Sequence, residues 1–419
     1  MTAEEDVGTN GGSSWSLPSS PDASDATHLL TTYGYDAAGN QNLVKDPRGI
    51  QSLTVFDMLS RQTQTIAAYT DGVATSDTNQ TTESTYDGND HVLTMTAIMP
   101  TGQPDQTTAY IYGVGESGGL FSNDLINKTE YPDSTTGAAS TSAANDVSYT
   151  YDNLGETLDE TDQNGTNHTY SYNPLGQMTL DSITTLGTGV DGSVMALGYT
   201  YNDLGLPYQQ TSYSNAAGTT AVNQDQNVYN GLQQLTGEYQ AVGGAVNTSS
   251  SPEVQYVYNS PTYGSNLAEM IYPNGRILLY GYDNNALDTA IGRVDYLADD
   301  NGSGSPTTPH LVDYTYLGFS TIVGQADGNG VAQSTALDPF GRVAETKYVN
   351  TATSTSTDDF QYGYDADGNV LYKNNLVNSA FSELYHANSS ASGDDSSAYD
   401  PLNRLTGFSR GTLSASGAS

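Results

Sequence analysis

The chain has 419 residues, with 11 Lys and Arg against 48 Asp and Glu, a formal net charge of −37. Eleven scattered bases in so acidic a field cannot neutralise a phosphate backbone or an anionic lipid surface, which excludes nucleic acid and anionic membranes as partners. Hydrophobic residues are only 36% of the chain while 44 Gly and 32 Tyr stand out, a composition suited to many short strands and turns. Cysteine is absent, so neither a disulfide framework nor a thiolate metal site is expected. No run approaches the ~18 apolar residues of a membrane-spanning helix, and no membrane insertion is expected.

Residues 1–30 are acidic and rich in Ser, Gly and Asp. They lack the basic start and apolar centre of a secretory signal and read as a flexible segment. From residue 31 a Tyr-x-Tyr pair recurs nine times, at Tyr33/Tyr35, Tyr110/Tyr112, Tyr149/Tyr151, Tyr170/Tyr172, Tyr199/Tyr201, Tyr256/Tyr258, Tyr280/Tyr282, Tyr314/Tyr316 and Tyr362/Tyr364. In a strand, residues two apart share a face, so 18 of the 32 tyrosines are patterned rather than scattered.

Most pairs are followed by Asp or Asn and, three residues later, Gly: Asp36 to Gly39, Asp152 to Gly155, Asn173 to Gly176, Asn202 to Gly205 and Asp365 to Gly368. Those are the preferences of a type I turn, which also favours proline second. Proline stands there in Asp46-Pro47-Arg48-Gly49, Asn173-Pro174-Leu175-Gly176, Asp338-Pro339-Phe340-Gly341 and Asp400-Pro401-Leu402-Asn403. Gly or Asn in fourth place accepts positive φ, so each unit reads as a β-hairpin closed by a type I turn with a bulge. On that geometry Gly165→Val should destabilise the fold.

The spacing is a second, independent signal. Asp36, Asp46 and Asp57 are separated by 10 and 11 residues, as are Asp152, Asp162 and Asn173, and Leu317, Asp327 and Asp338. The middle turn's glycine precedes the residue before the next turn by seven at Gly49/Phe56, Gly165/Tyr172, Gly275/Tyr282 and Gly330/Leu337. Such a step leaves a four-residue turn and a strand of about six or seven residues. The fold class is therefore all-β, a meander of repetitive antiparallel hairpins.

Segments such as Tyr33-Gly34-Tyr35-Asp36-Ala37-Ala38-Gly39-Asn40, Tyr149-Thr150-Tyr151-Asp152-Asn153-Leu154-Gly155 and Tyr399-Asp400-Pro401-Leu402-Asn403-Arg404-Leu405 resemble the YD repeats of bacterial Rhs proteins and of the related part of teneurins. The resemblance covers roughly residues 31–410, with degenerate stretches near 70–145 and 205–255, leaving 411–419 as a flexible end. It implies a continuous β-sheet wound into a hollow shell, a secreted or cell-surface location, no enzyme in the repeats, and a toxin or cargo domain outside this chain as partner. The core segment with an Asp-Pro-x-Gly-Leu element, which toxin-releasing Rhs proteins carry after their last repeat, has no counterpart. Asp338-Pro339-Phe340-Gly341 is followed by Arg342 and by further repeats, so a fragment and a repeat-only member are both expected readings.

Several motifs carry possible chemistry. Gly115-Glu116-Ser117-Gly118-Gly119 fits a nucleophile elbow. A hydrolase would also need a helix directly after Ser117, where 120–130 is at best a marginal one. The segment also parallels Ser265-Asn266 through Tyr272-Pro273-Asn274, which has no elbow, so a glycine-rich repeat loop is preferred. His28, His91, His168, His310 and His386 show no metal-ligand spacing, and His168 should share a strand face with Tyr170. The acidic pairs Glu4/Glu5, Asp299/Asp300, Asp358/Asp359 and Asp394/Asp395 read as solvated loop charge rather than a glycosidase pair. Asp365-Ala366-Asp367-Gly368-Asn369 begins like a calcium loop but has its glycine too early and no Glu in twelfth place, so it reads as a turn. No catalytic, cofactor or metal residue is therefore assigned. The tyrosine rows read as cross-strand packing, with an adhesin for surface carbohydrate or protein as the alternative and a secreted hydrolase using Ser117 as a second.

Overall fold

A computed structural model describes residues 2–9, 20, 22–25, 27–115, 120–258, 265–282, 286–385 and 398–413. These form 29 strands assigned to one long sheet, every recorded strand pairing being antiparallel, together with a single six-residue helix, Ala286–Ile291, and two 3-10 turns. No helix among the described residues is long and apolar enough to cross a membrane. The chain divides into two compact units: Met1–Tyr86 with Met95–Asp105 and Val312–Ser419, and Asp87–Thr94 with Gln106–Leu311.

In the first unit the strands Leu29–Tyr35, Gln41–Lys45, Gln51–Phe56 and Gln62–Ala67 form one meander, and Val312–Leu317 through Val370–Asn375 form another. In the second, strands from Asp146–Tyr151 to Leu235–Ala241 pair in the same successive way. The degenerate stretches continue the pattern, with strands such as Val92–Ile98 and Ala221–Tyr229.

Many of the repeat turns share one bonding pattern. At Asp36 the backbone N–H donates to the Asn40 carbonyl at 2.9 Å, the Gly39 N–H donates back to the Asp36 carbonyl at 3.1 Å, and Asp36 Oδ1 accepts the N–H groups of Ala38 and Asn40, both at 2.9 Å. The Asn40 side chain and these N–H groups hold the Asp36 carboxyl below its usual range. Equivalent bonds recur at Asp57, Asp152, Asn173, Asn202, Asn230, Asp338, Asp365 and Asp400. The register shifts at the residue preceding each Asp or Asn, as at Tyr35, Phe56, Tyr151 and Tyr172, which is the expected bulge. Fourth-place glycines have positive φ, Gly165 among them at +80°, but Ser60, Asp90, Gln233 and Asn403 take the same conformation. Those side chains take the turns at Asp87 and Asn230 out of the glycine pattern, whereas the 10/11 spacing already marks the turn at Asp57.

The core is thin. Among the described residues buried apolar side chains are few and about half of them are alanines, such as Ala196 and Ala298, beside larger ones such as Leu278 and Leu371. Strand glycines make room for aromatic rings: a Cβ on Gly363 would lie 2.1 Å from the Tyr372 ring paired opposite it, and one on Gly281 would lie 2.0 Å from Tyr296.

Residues 122–130, where the sequence offers at best a marginal helix after Ser117, are a strand, Ser122–Glu130. Three expectations are corrected. Ala3–Asp6, taken as part of a flexible segment, is a strand paired with Leu29–Thr32, so Glu4 and Glu5 are strand residues. Asp299 ends the strand Tyr296–Asp299. Asp358 and Asp359 lie within Thr355–Tyr364, where Asp359 is buried and bonded by Lys347 Nζ at 2.8 Å; alternation across the strand turned one member of the pair inward.

Candidate functional site

The residue immediately before a turn's Asp or Asn links one hairpin to the next along the same rim. Tyr172 donates its hydroxyl to the Thr157 carbonyl at 2.9 Å, Tyr201 to Met178 at 2.8 Å, and Tyr229 to Pro207 at 2.9 Å. In the first unit Tyr86 bonds Gln62 at 2.6 Å, Tyr364 bonds Val343 at 2.7 Å and Tyr399 bonds Val370 at 2.7 Å. In every case the acceptor is the fifth residue after the preceding turn's Asp or Asn. Burial raises the hydroxyl pKa of Tyr172, Tyr364 and Tyr399, which keeps them as donors. Phe56 and Leu337 occupy the same place and have no hydroxyl to give.

At several turns the residue four after the Asp or Asn complements it. Arg61, Arg342 and Arg404 each donate Nε to the carboxylate of their own turn at 2.6–2.7 Å, whereas Asn173 and Asn230 donate to Gln177 and Gln234, both at 2.9 Å. Arg61 also lies 4.8 Å over the Tyr86 ring and Arg342 4.7 Å over Tyr364. One turn instead pairs two acids, Asp152 and Glu156. Burial and the neighbouring Asp152 raise the Glu156 pKa; at Asp152 burial acts upward, but the N–H groups of Glu156 and Leu154 hold the carboxyl below its usual range.

These rims meet in the first unit. The Asp46-Pro47-Arg48-Gly49 turn, on the rim opposite the Tyr-Asp turns, lies against the Asp365 and Asp400 turns more than 300 positions away in sequence. The Arg48 guanidinium donates to the carbonyls of Tyr399 at 2.9 Å and Asp400 at 3.3 Å and to Asn403 Oδ1 at 2.5 Å, and its Nε is 3.4 Å from Asp365 Oδ2. Asn369 Nδ2 joins the same Asn403 oxygen at 2.9 Å. Two further contacts extend the seam: the Thr9 N–H donates to the Pro339 carbonyl at 2.7 Å, and Arg404 donates to the Ser76 carbonyl at 2.8 Å. Residues 9, 48 and 76 thus meet successive turns beginning at 338, 365 and 400, and in that order.

Asp367 sits inside the seam. Its Oδ1 accepts the Arg48 N–H at 3.2 Å, while Oδ2 is buried and finds no donor. Burial and the adjacent Asp46 charge, with Asp365 adding to them against the Arg48 N–H, raise the Asp367 carboxyl to about 6. The calcium-like loop is therefore a turn whose Asp365 oxygens are taken by N–H donors and an arginine. Sequence reasoning missed the seam because Arg48 fills a turn position that makes no chemical demand; proline beside an arginine in so base-poor a chain was the one signal.

The other candidates do not converge. Ser117, His386 and Asp394/Asp395 lie outside the described residues. His168 stacks on Tyr170 at 6.2 Å as expected and bonds Asp181 at 2.7 Å, His91 stacks on Tyr112 at 4.6 Å and bonds Asp87 at 2.8 Å, and His310 stacks on Tyr296 at 3.9 Å. Glu5, Asp22 and His28 place ligand atoms within 4.8 Å of one another, but the His28 ring is also held by Thr27 at 2.8 Å and Asp25 at 3.3 Å, so hydrogen bonds to neighbouring side chains already engage it. Of the 18 paired tyrosines only Tyr35 is exposed, so they form no exposed aromatic row.

No family model and no curated protein matches the chain. Its fold is that of solved TcdB2-TccC3 structures. A TcdB2-TccC3-TEV chain superposes with a TM-score of 0.54 at 14% identity over 91% of this chain, and TcdB2-TccC3 without its hypervariable C-terminal region with 0.54 at 14% over 90%. A third, TcdB2-TccC3, gives 0.50 at 14% over 91%. This chain spans only about a fifth of their length, 19% of the first two and 20% of the third. At such identity the likeness establishes the fold.

Proposed function

We propose that this chain is a non-enzymatic wall segment of an Rhs-type β-shell that encloses or presents a toxin or other cargo domain outside the cell. The observation that carries the reading is the seam at Arg48, where the rim of the first repeats docks on the rim of the last. A thin antiparallel wall with half-buried tyrosine faces and a seam between distant repeats suits containment better than catalysis. The TcdB2-TccC3 neighbours, one solved without a hypervariable C-terminal region, support the idea of a constant wall with a variable passenger. The chain's acidity favours solubility of so large a β-surface.

Small-angle scattering of the purified chain tests the wall. A compact 419-residue globule would have a radius of gyration of about 22 Å. A curved wall around solvent should exceed that clearly, and a value at or below it would sink the shell reading. An ester-hydrolysis assay should find no difference between the parent and Ser117→Ala; activity lost in the variant would revive the hydrolase.

A further inference from the structure

Four successive turns of the second unit carry leucine in third place, and all four project into solvent: Leu154, Leu175, Leu204 and Leu232 are 81, 80, 62 and 67% exposed. The tyrosine bonds from Tyr172, Tyr201 and Tyr229, with Gln177 Nε2 reaching the Gly205 carbonyl at 3.0 Å, set these turns side by side along one rim. Neighbouring turns are two strands apart, so the leucines recur about every 10 Å. The turn itself does not require leucine, since Ala38, Asn164 and Asp367 hold the same place elsewhere. A row of exposed apolar side chains on an acidic, polar molecule marks an interaction surface.

In the first unit Leu59 holds this position 69% exposed, but three later turns show what can cover it. There Asp367 lies under the Arg48 turn, and Phe340 and Leu402 are half-buried at turns touched by Thr9 and Arg48 respectively. The opposite rim of the second unit also carries exposed apolar side chains, Val242 most of all, with Leu186 and Val190. We propose that the leucine rim docks head-to-tail on the Val242 rim of a second copy of this chain, repeating between molecules the seam that the first unit makes within one. Such a heterologous contact leaves a free rim at each end, so association continues past the dimer unless it closes into a ring. Copies each carrying −37 repel one another, and association strengthens as salt screens that charge.

Sedimentation velocity of the 419-residue chain across concentration and from low to high salt tests this. Oligomers should grow with concentration and with salt. Leu175→Asp/Leu204→Asp should keep its circular dichroism and melting temperature, because aspartate already occupies this turn place at Asp367, yet weaken association at least tenfold; Val242→Asp should do the same. Mixing the two variants should give dimers that do not grow, since each supplies one intact rim. A parent that stays monomeric throughout, or variants that associate as the parent does, would overturn the inference. Failure here leaves the scattering result untouched, so it is distinguishable from failure of the shell reading.

Discussion

The turn at Asn173-Pro174-Leu175-Gly176 and the turn at Asp365-Ala366-Asp367-Gly368 close their hairpins with the same backbone and side-chain bonds, yet Leu175 projects into solvent while Asp367 lies beneath Arg48. Identical local chemistry therefore serves two ends. In the second unit it only holds adjacent hairpins in line; in the first it also receives another rim. What separates the two is the third residue of the turn, whose side chain takes no part in the turn's own bonds.

The largest effects should come from the framework common to both regions. Gly363→Ala drives a methyl group into the Tyr372 ring and should cost about 3 kcal/mol, as overpacking does, read as a lowered urea midpoint. A Cβ on Gly165 meets nothing within 4 Å, so the expected cost of Gly165→Val, about 2 kcal/mol, is mainly backbone strain. A melting curve equal to the parent's would show that the turn tolerates a β-branched residue as it tolerates Ser60.

Arg48→Ala should split the comparison. Losing hydrogen bonds from a charged donor should cost about 2 kcal/mol and raise hydrogen exchange at 365–369 and 399–404 while leaving 173–177 unchanged. Uniform exchange changes across both turns would dissolve the distinction.

The seam should also respond to pH. The folded state raises the Asp367 carboxyl from 3.8 to about 6, so its contribution is greatest below pH 4 and is lost as pH rises through 6. Asp367→Asn keeps an oxygen for the Arg48 N–H and adds a donor toward Asp46. It should melt above the parent at pH 7.5 and lose that advantage near pH 4; an equal difference at both pH values would place the charge elsewhere.

The smallest effect tests the tyrosine bond. Tyr172→Phe should cost about 1 kcal/mol, one buried hydrogen bond, whereas Phe56 shows that the packing survives without the hydroxyl.

The hairpins were legible in the sequence because their determinants are local. An Asp or Asn oxygen reaches N–H groups two and four residues ahead, Gly or Asn accepts positive φ, and a 10/11 step fixes strand length, so Asp36, Asp152 and Asn173 announce their turns unaided. Where Ser60, Asp90 and Gln233 replace glycine, the same turn forms and the letter pattern fades, because neighbouring strands supply what the residue's own preference does not. The candidate site was almost illegible. Tyrosine at a fixed place before the turn was visible, but its partner carbonyl belongs to the previous hairpin, and no residue type marks a carbonyl.

By itself, then, the sequence determined the all-β class, the turn chemistry, the excess of one charge sign and the paired tyrosine faces. Tertiary structure alone decided that Arg48 meets Asp365, Asp367 and Asp400, that Ala3–Asp6 adds a strand, and that Leu175 stays bare where Asp367 is covered. The reason is range. A turn is settled within five residues, whereas a seam joins residues more than 300 apart through a side-chain position on which the turn places no constraint.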